Sequence, residues 1–163
     1  MGMIYDIYNS PIGEMKLCSN GTHLTAVVFS GQKYEDIHIG SAKRGTCLAL
    51  EQTKNWLSLY FAGTIPASLP PLKPTGTPFQ LRIWDALLQI PYGQTTTYGE
   101  LAKKLGCNSA QAVGGAVGKN PICILIPCHR VVGMKGKLTG YAGGLDKKSA
   151  LLALEQTPLH PLF

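Results

Sequence analysis

Ile124-Leu125-Ile126-Pro127-Cys128-His129-Arg130-Val131-Val132 runs from aliphatic residues straight into a thiol, an imidazole and a guanidinium. An apolar run of this kind ordinarily continues as aliphatics or ends in a turn. A cysteine is a nucleophile only as the thiolate, and adjacent cationic or hydrogen-bonding groups favour that form. Pro127 fixes one backbone torsion just before the sulfur. On chemistry alone Cys128 is a candidate nucleophile. The competing reading is a structural cysteine, since free Cys is among the most buried residue types.

The sequence on the N-terminal side of this run reads as helices. Phe79 to Ile90 places Phe79, Ile83, Leu87 and Ile90 on one face, and Pro91-Tyr92-Gly93 closes it. Thr97 can cap a short helix, Tyr98 to Leu105, with Gly106 at the bend. Ser109 caps a second helix reaching Gly118. The pair predicts a helix-turn-helix, with a plain helical hairpin as the alternative. The second helix, Ala110-Gln111-Ala112-Val113-Gly114-Gly115-Ala116-Val117-Gly118, carries three glycines. Each costs a helix about 1 kcal/mol relative to alanine. Either tight helix packing or the close approach of something large explains such a helix. A major-groove reader carries long polar side chains, whereas this bare surface suits the minor groove without sequence reading.

Further upstream, Ile65 to Pro78 holds five prolines, which neither a helix nor a central strand tolerates. It predicts a stiff connector and a boundary near Gly76, dividing the chain into residues 1–75 and 76–163. The first part reads as strands from Met3 to Tyr8, Met15 to Ser19 and Leu24 to Phe29, with a tight hairpin at Asn20-Gly21. A further strand is expected near Ile37-His38-Ile39. Cys47 to Phe61 fits an amphipathic helix ended by Gly63. No catalytic constellation stands out in this half, which reads as a scaffold.

Composition sets the outer limits. The chain has 163 residues, 45% hydrophobic and 15% charged, which excludes disorder and suits one domain or two small ones. No apolar run approaches the roughly 20 residues of a membrane helix, and no secretion signal is expected at the N-terminus. Five cysteines without disulfide spacing point to a reducing, cytoplasmic setting. Residues 1–78 hold six Lys/Arg and five Asp/Glu, and residues 79–163 hold nine and four. The excess positive charge therefore lies with Cys128, as phosphate binding would need, although a solvated surface accounts for it equally.

Asn120-Pro121, Pro127-Cys128-His129-Arg130 and Gly140-Tyr141-Ala142-Gly143-Gly144 together resemble the O6-alkylguanine-DNA alkyltransferases, DNA repair proteins that take an alkyl group from guanine O6 onto their own cysteine. The likeness is dense from Phe79 to Glu155 and weaker before. It implies an α/β protein, with a small ribonuclease-H-like N-terminal domain bearing a sheet and a mostly helical C-terminal domain. It also implies a helix-turn-helix lying in the minor groove of double-stranded DNA and a nucleotide swung out of the stack.

The resemblance makes Cys128 the nucleophile, His129 its base through a water, and Glu155 the group that orients the imidazole. Asn120 orders the turn and Tyr98 gives a proton to the departing guanine. Tyr141 stacks on the base, the Ala142 backbone faces O6, Gly143 leaves room for the alkyl group, and Val131 offers its carbonyl and flank. Thr97, Ala110, Gln111, Gly114 and Gly115 are the expected DNA-contacting positions. Gln111 stands where the family has the arginine that fills the vacated space, which implies weaker DNA binding and slower repair.

The thioether product is stable, so one turnover is expected from a monomer, with no cofactor and no metal. Arg130 reads as structural. Four alternatives remain. Cys123, Cys128 and His129 lie close in sequence but match no common zinc spacing. A cysteine hydrolase would not need the glycine-rich helix. Alkyltransferase-like proteins bind lesions but lack the reactive cysteine. An alkylation-responsive regulator would need a further DNA-binding or metal module.

Overall fold

The computed structural model of the chain describes residues 2–159. β1 (Ile4–Ser10), β2 (Gly13–Ser19) and β3 (Leu24–Phe29) form an antiparallel meander. The link from β2 to β3 is longer than the tight hairpin expected. The Asn20 side-chain oxygen accepts the amide N–H groups of Thr22 and His23 at 3.0 and 2.8 Å, while Gly21 takes φ 103°. An asparagine that bonds its own backbone two residues on builds a wider turn.

The strand expected at Ile37-His38-Ile39 is instead a helix, α1 (Glu35–Ile39). Ile37 is 76% exposed, so there is no apolar face here for a sheet to bury. Glu35 and Asp36 sit in the first turn, where the helix dipole favours acids, and Glu35 pairs with Lys16 at 2.6 Å. The fourth strand is β4 (Lys43–Arg44), parallel to β1, and the sheet order is β3-β2-β1-β4. Both β4 residues are exposed, which removes the alternation that would have revealed it.

α2 (Leu48–Phe61) lies on this sheet and buries Ala49, Leu50, Thr53, Leu57 and Tyr60. The outer edge of β3 is covered rather than free. Leu24 N–H donates to Pro71 and accepts back from Lys73 through its carbonyl, at 2.7 and 2.8 Å. Val27 N–H donates to Pro121 at 2.9 Å, and Cys123 N–H donates to the Val27 carbonyl at 3.0 Å. The proline-rich connector and the segment leading to Cys128 thus close the β3 edge of the sheet.

α3 (Pro78–Leu87) opens with a reciprocal capping box between Thr77 and Gln80 and with proline at its first position. It stops three residues short of the expected Ile90. Gln89 and Ile90 bond three residues back to Ala86 and Leu87, and Pro91 disfavours helix in the residue before it. β5 (Thr96–Thr97) leads into α4 (Tyr98–Lys104), and α5 (Ala110–Gly118) follows across a bend where Gly106 has φ 67°. Thr97 and Ser109 cap the two helices as expected, each accepting a backbone N–H at 3.0 Å. Trp84 anchors α5 to α3 by donating its indole N–H to the Ala116 carbonyl at 2.9 Å. β6 (Val131–Val132) runs parallel to β5, so the start of α4 is clamped beside the turn that holds Cys128. α6 (Leu145–Leu159) completes the described chain. The architecture is α/β: an N-terminal sheet with α2 against it, then a helical C-terminal part carrying a helix-turn-helix.

Candidate active site

The turn before Cys128 is held from inside. Asn120 donates its amide to the Ile126 carbonyl at 2.7 Å and accepts the Ile122 N–H at 3.0 Å. Between them Ile124 is buried at φ 71°. A left-handed conformation in a β-branched residue costs about 1–3 kcal/mol and persists only where its surroundings impose it. Cys128–Arg130 then forms a single 3-10 turn. All three residues are buried, and the imidazole and guanidinium converge on one carboxylate.

Glu155 collects the other side of that turn. Its carboxylate, only 1% exposed, accepts five hydrogen bonds: Tyr60 hydroxyl at 2.6 Å, Gly93 N–H at 3.2 Å, His129 Nε2 at 2.6 Å, and Arg130 Nε and Nη2 at 2.8 and 3.1 Å. Burial alone would raise its pKa, but hydrogen bonds from His129 and Arg130 and the charge of the guanidinium outweigh it and hold the carboxyl at about 2. An ionised carboxylate only accepts, so Nε2 of His129 must carry the proton in that bond. Burial, opposed by Glu155, pushes the His129 pKa down. The imidazole is therefore neutral with a bare Nδ1, which is buried and has no hydrogen-bond partner among the described residues. Arg130 also donates to the Ile90 carbonyl at 2.7 Å and lies over the Tyr92 ring.

Cys128 is 7% exposed and borders a pocket of about 10 Å³, shared with Asn120, Cys123 and Gly140 through Gly143. Burial pushes its thiol up, against the pull of Asn120 and of the positive charge on Lys148. Cys123 donates its S–H to the Val27 carbonyl at 3.0 Å, and burial raises its pKa as well. The Tyr141 hydroxyl is buried without a hydrogen-bond partner among the described residues. The room expected beside Gly143 is filled: a Cβ there would stand 2.8 Å from Phe29 and 3.1 Å from the Tyr141 ring. A space this size holds about one water at most and no purine.

It adjoins a groove of about 710 Å³, with Gly118, Gly140, Tyr141 and Ala142 lining both. The groove runs along α5 past Ala110, Gln111, Gly114 and Gly115, between Lys33 and Lys119. A Cβ at Gly115 or Gly118 would meet open space, and one at Gly114 would make ordinary contact with Tyr98. Packing inside the chain thus does not require these glycines. Tyr98 lines the same groove, and its hydroxyl accepts from Thr139 at 3.2 Å. Thr97 is spent on its cap, and Val131 is fully buried in β6, outside the lining of either space.

The N-terminal half is more than a scaffold. Tyr60 bonds the central carboxylate, while Phe29 and Gln32 reach the pocket. The sequence carried no motif for these residues: Tyr60 reads as one more position on an amphipathic stripe. Among the described residues no group of three or more His, Cys, Asp or Glu side chains is placed to hold a metal, and no helix is long and apolar enough to cross a membrane.

Two family models match the chain. Residues 3–72 match the ribonuclease-like domain, and residues 78–157 the DNA binding domain, of 6-O-methylguanine DNA methyltransferase. Methylated-DNA--protein-cysteine methyltransferases are similar along nearly the whole length. That of Mycobacterium bovis is 45% identical over 94% of this chain and 92% of its own, and that of Methanosarcina acetivorans is 45% identical over 94% and 98%. The crystal structure of Mycobacterium tuberculosis OGT in complex with DNA is 42% identical, with a TM-score of 0.87 over 95% of this chain and 94% of the other. The O6-methylguanine DNA methyltransferase of Methanococcus jannaschii is 32% identical, with a TM-score of 0.65 over 92% of each.

The state of Glu155 sets the sign of an acid response. An unfolded glutamate titrates at about 4.3, against about 2 in the fold. Its stabilising contribution is complete above the higher value and is lost as pH falls toward the lower one. Glu155→Gln leaves Arg130 without its counter-charge and is expected to lose about 3–5 kcal/mol at neutral pH. Urea unfolding followed from about pH 5 to about pH 2.5 is expected to show a shallower fall for this variant than for the wild type. Parallel curves would contradict the assigned charge state.

Proposed function

The chain belongs to the 6-O-methylguanine DNA methyltransferase family and performs direct-reversal repair by alkyl transfer from DNA, a reaction in which we propose that Cys128, His129 and Glu155 act as nucleophile, base and orienting group. The observation that carries this reading is the His129 ring, bonded to Glu155 through Nε2 and left with a buried, unpartnered Nδ1, one residue along the chain from Cys128. A neutral imidazole next to a protonated thiol is a base waiting for its proton rather than a preformed ion pair.

In the proposed step the Cys128 proton passes to His129 by way of a water. The sulfur attacks the alkyl carbon on guanine O6. The C–S bond forms as the C–O bond breaks, and Tyr98 protonates the departing guanine so that it leaves neutral. Glu155 and Arg130 remain paired throughout, and the carboxylate stabilises the imidazolium that results. Asn120 keeps the turn in its strained form. The thioether formed is chemically stable, so each molecule acts once, without a cofactor.

DNA is the partner, taken up in the minor groove by the bare face of α5. Gln111 enters the stack in place of the flipped nucleotide, Ala110, Gly114 and Gly115 allow close approach, and Thr97 stands at the rim. Lys33 and Lys119 flank the groove and suit phosphate contacts. The pocket beside Cys128 has to open, and the lining that it shares with the groove at Tyr141 and Ala142 supports that segment as the wall that moves. Tyr141 then leaves the cavity and stacks on the base, with the Ala142 backbone facing O6 and Gly143 beside the alkyl group. Val131 contributes through its backbone and flank. We divide the chain at residues 75 and 76, treat it as a monomer, and place it in the cytoplasm, where its five thiols stay reduced.

Intact-mass analysis after incubation with a duplex containing O6-methylguanine tests the reading. A single methyl-sized gain located on Cys128, and absent from Cys128→Ser, is the expected result. Lesion binding without any gain would leave a damage-binding protein that does not transfer. A second outcome concerns Gln111, which lacks the charge and broad planar face of arginine. Gln111→Arg is expected to bind DNA more tightly and to transfer faster in single-turnover assays, by about tenfold or less, corresponding to about 1.4 kcal/mol. Equal affinities and rates for the two proteins would exclude a role for this position in holding the flipped state.

A further inference from the structure

Gly143 borders the space over Cys128, and a Cβ built on it would stand 2.8 and 3.4 Å from two atoms of the Phe29 ring and 3.1 Å from the Tyr141 ring. Two aromatic rings therefore fill the volume into which residue 143 would project. They belong to different parts of the chain. Tyr141 lies on residues 140–143, the wall that has to move when a purine enters. Phe29 ends β3, in the N-terminal sheet.

We propose that Phe29 is a specificity-determining residue for alkyl transfer, whose ring stays behind when the wall moves and limits the size of the alkyl group that fits beside Gly143. This rests on the reading of Cys128 as nucleophile with Gly143 next to the alkyl group.

Three observations make Phe29 the fixed side of this contact. Its side chain is 1% exposed and sits in the core beside Met15, its partner across β2. A close-packed interior leaves no slack into which such a ring can retreat. β3 is also held on both edges, by β2 and by the bonds of Val27 to Pro121 and Cys123 at 2.9 and 3.0 Å. Finally, Phe29 N–H donates to the Gln32 side-chain oxygen at 2.7 Å, and Gln32 N–H donates back to the Phe29 carbonyl at 3.0 Å. Gln32 borders the same space as Cys128, so displacing Phe29 would disturb a second part of its lining. Lys147, in the first turn of α6, adds its ammonium 5.4 Å from the ring centre.

The consequence is a limit on size. A methyl group shares the space with the ring, whereas a longer chain has to overlap it. In a tight apolar site one methylene is worth about tenfold or more in rate. Phe29 makes no hydrogen bond to Cys128, His129 or Glu155 among the described residues. A smaller side chain here therefore frees volume on the N-terminal side and leaves the bonds of the nucleophile, base and carboxylate in place.

Single-turnover transfer from duplexes carrying O6-methylguanine or O6-n-butylguanine, measured in wild type, Phe29→Leu and Phe29→Ala, tests the proposal. The quantity read is the butyl-to-methyl rate ratio, which a general loss of stability or of active protein leaves unchanged. The ratio is expected to rise about tenfold in the Leu variant and to rise more in the Ala variant. An unchanged or lower ratio overturns the proposal, whatever happens to the separate rates, because a merely structural phenylalanine would slow both transfers alike. Should Phe29→Ala not fold, Phe29→Leu, which keeps an apolar side chain closer in size, decides alone. Absence of both transfers in the wild type would instead count against Cys128 as nucleophile, separating the two failures.

Discussion

One carboxylate, buried on the inner face of α6, is where the separate pieces of the chain converge. Glu155 receives the Tyr60 hydroxyl from α2, the Gly93 backbone from the loop after α3, and both His129 and Arg130 from the turn that follows Pro127. A buried charge of this kind is tolerable only when it is paired and its lone pairs are filled. Meeting that demand forces the N-terminal layer, the turn and α6 into register. It also consumes Nε2 of His129, so the remaining ring nitrogen is the one able to take a proton. Structural necessity and the proposed chemical role rest here on the same set of hydrogen bonds.

The nucleophile is handled in the opposite way. Cys128 is kept protonated by burial and given little company: Asn120, a second thiol, and the distant pull of Lys148. An exposed thiolate would be open to oxidation and to stray electrophiles. A sulfur that ionises only when the pocket opens and its base is engaged avoids both. The closed state fits this logic, with Tyr141 and Phe29 occupying the space around Gly143. Gly140, Tyr141 and Ala142 belong at once to the pocket wall and to the groove along α5.

Local chemistry was legible in the sequence, and long-range contacts were not. Thr97 and Ser109 announced their helices because a cap is a matter of three or four neighbouring residues. The glycines of α5 left two explanations open in the sequence, and the open space at Gly115 and Gly118 removes tight packing as the reason for those two. Ile37-His38-Ile39 misled because three apolar or aromatic residues in a row satisfy strand and helix alike, and exposure decides between them. β4 carried no period to detect. Tyr60 lies 95 residues from Glu155, so nothing near either residue marks the pair.

The account turns on the state of the His129 ring. Nitrogen-15 NMR of the resting protein near neutral pH, with His129 assigned through a His129→Gln control, reads that state directly. A neutral ring with its proton on Nε2 and an unprotonated Nδ1 is the predicted result. A doubly protonated ring paired with a thiolate, or a proton on Nδ1 instead, would contradict the account.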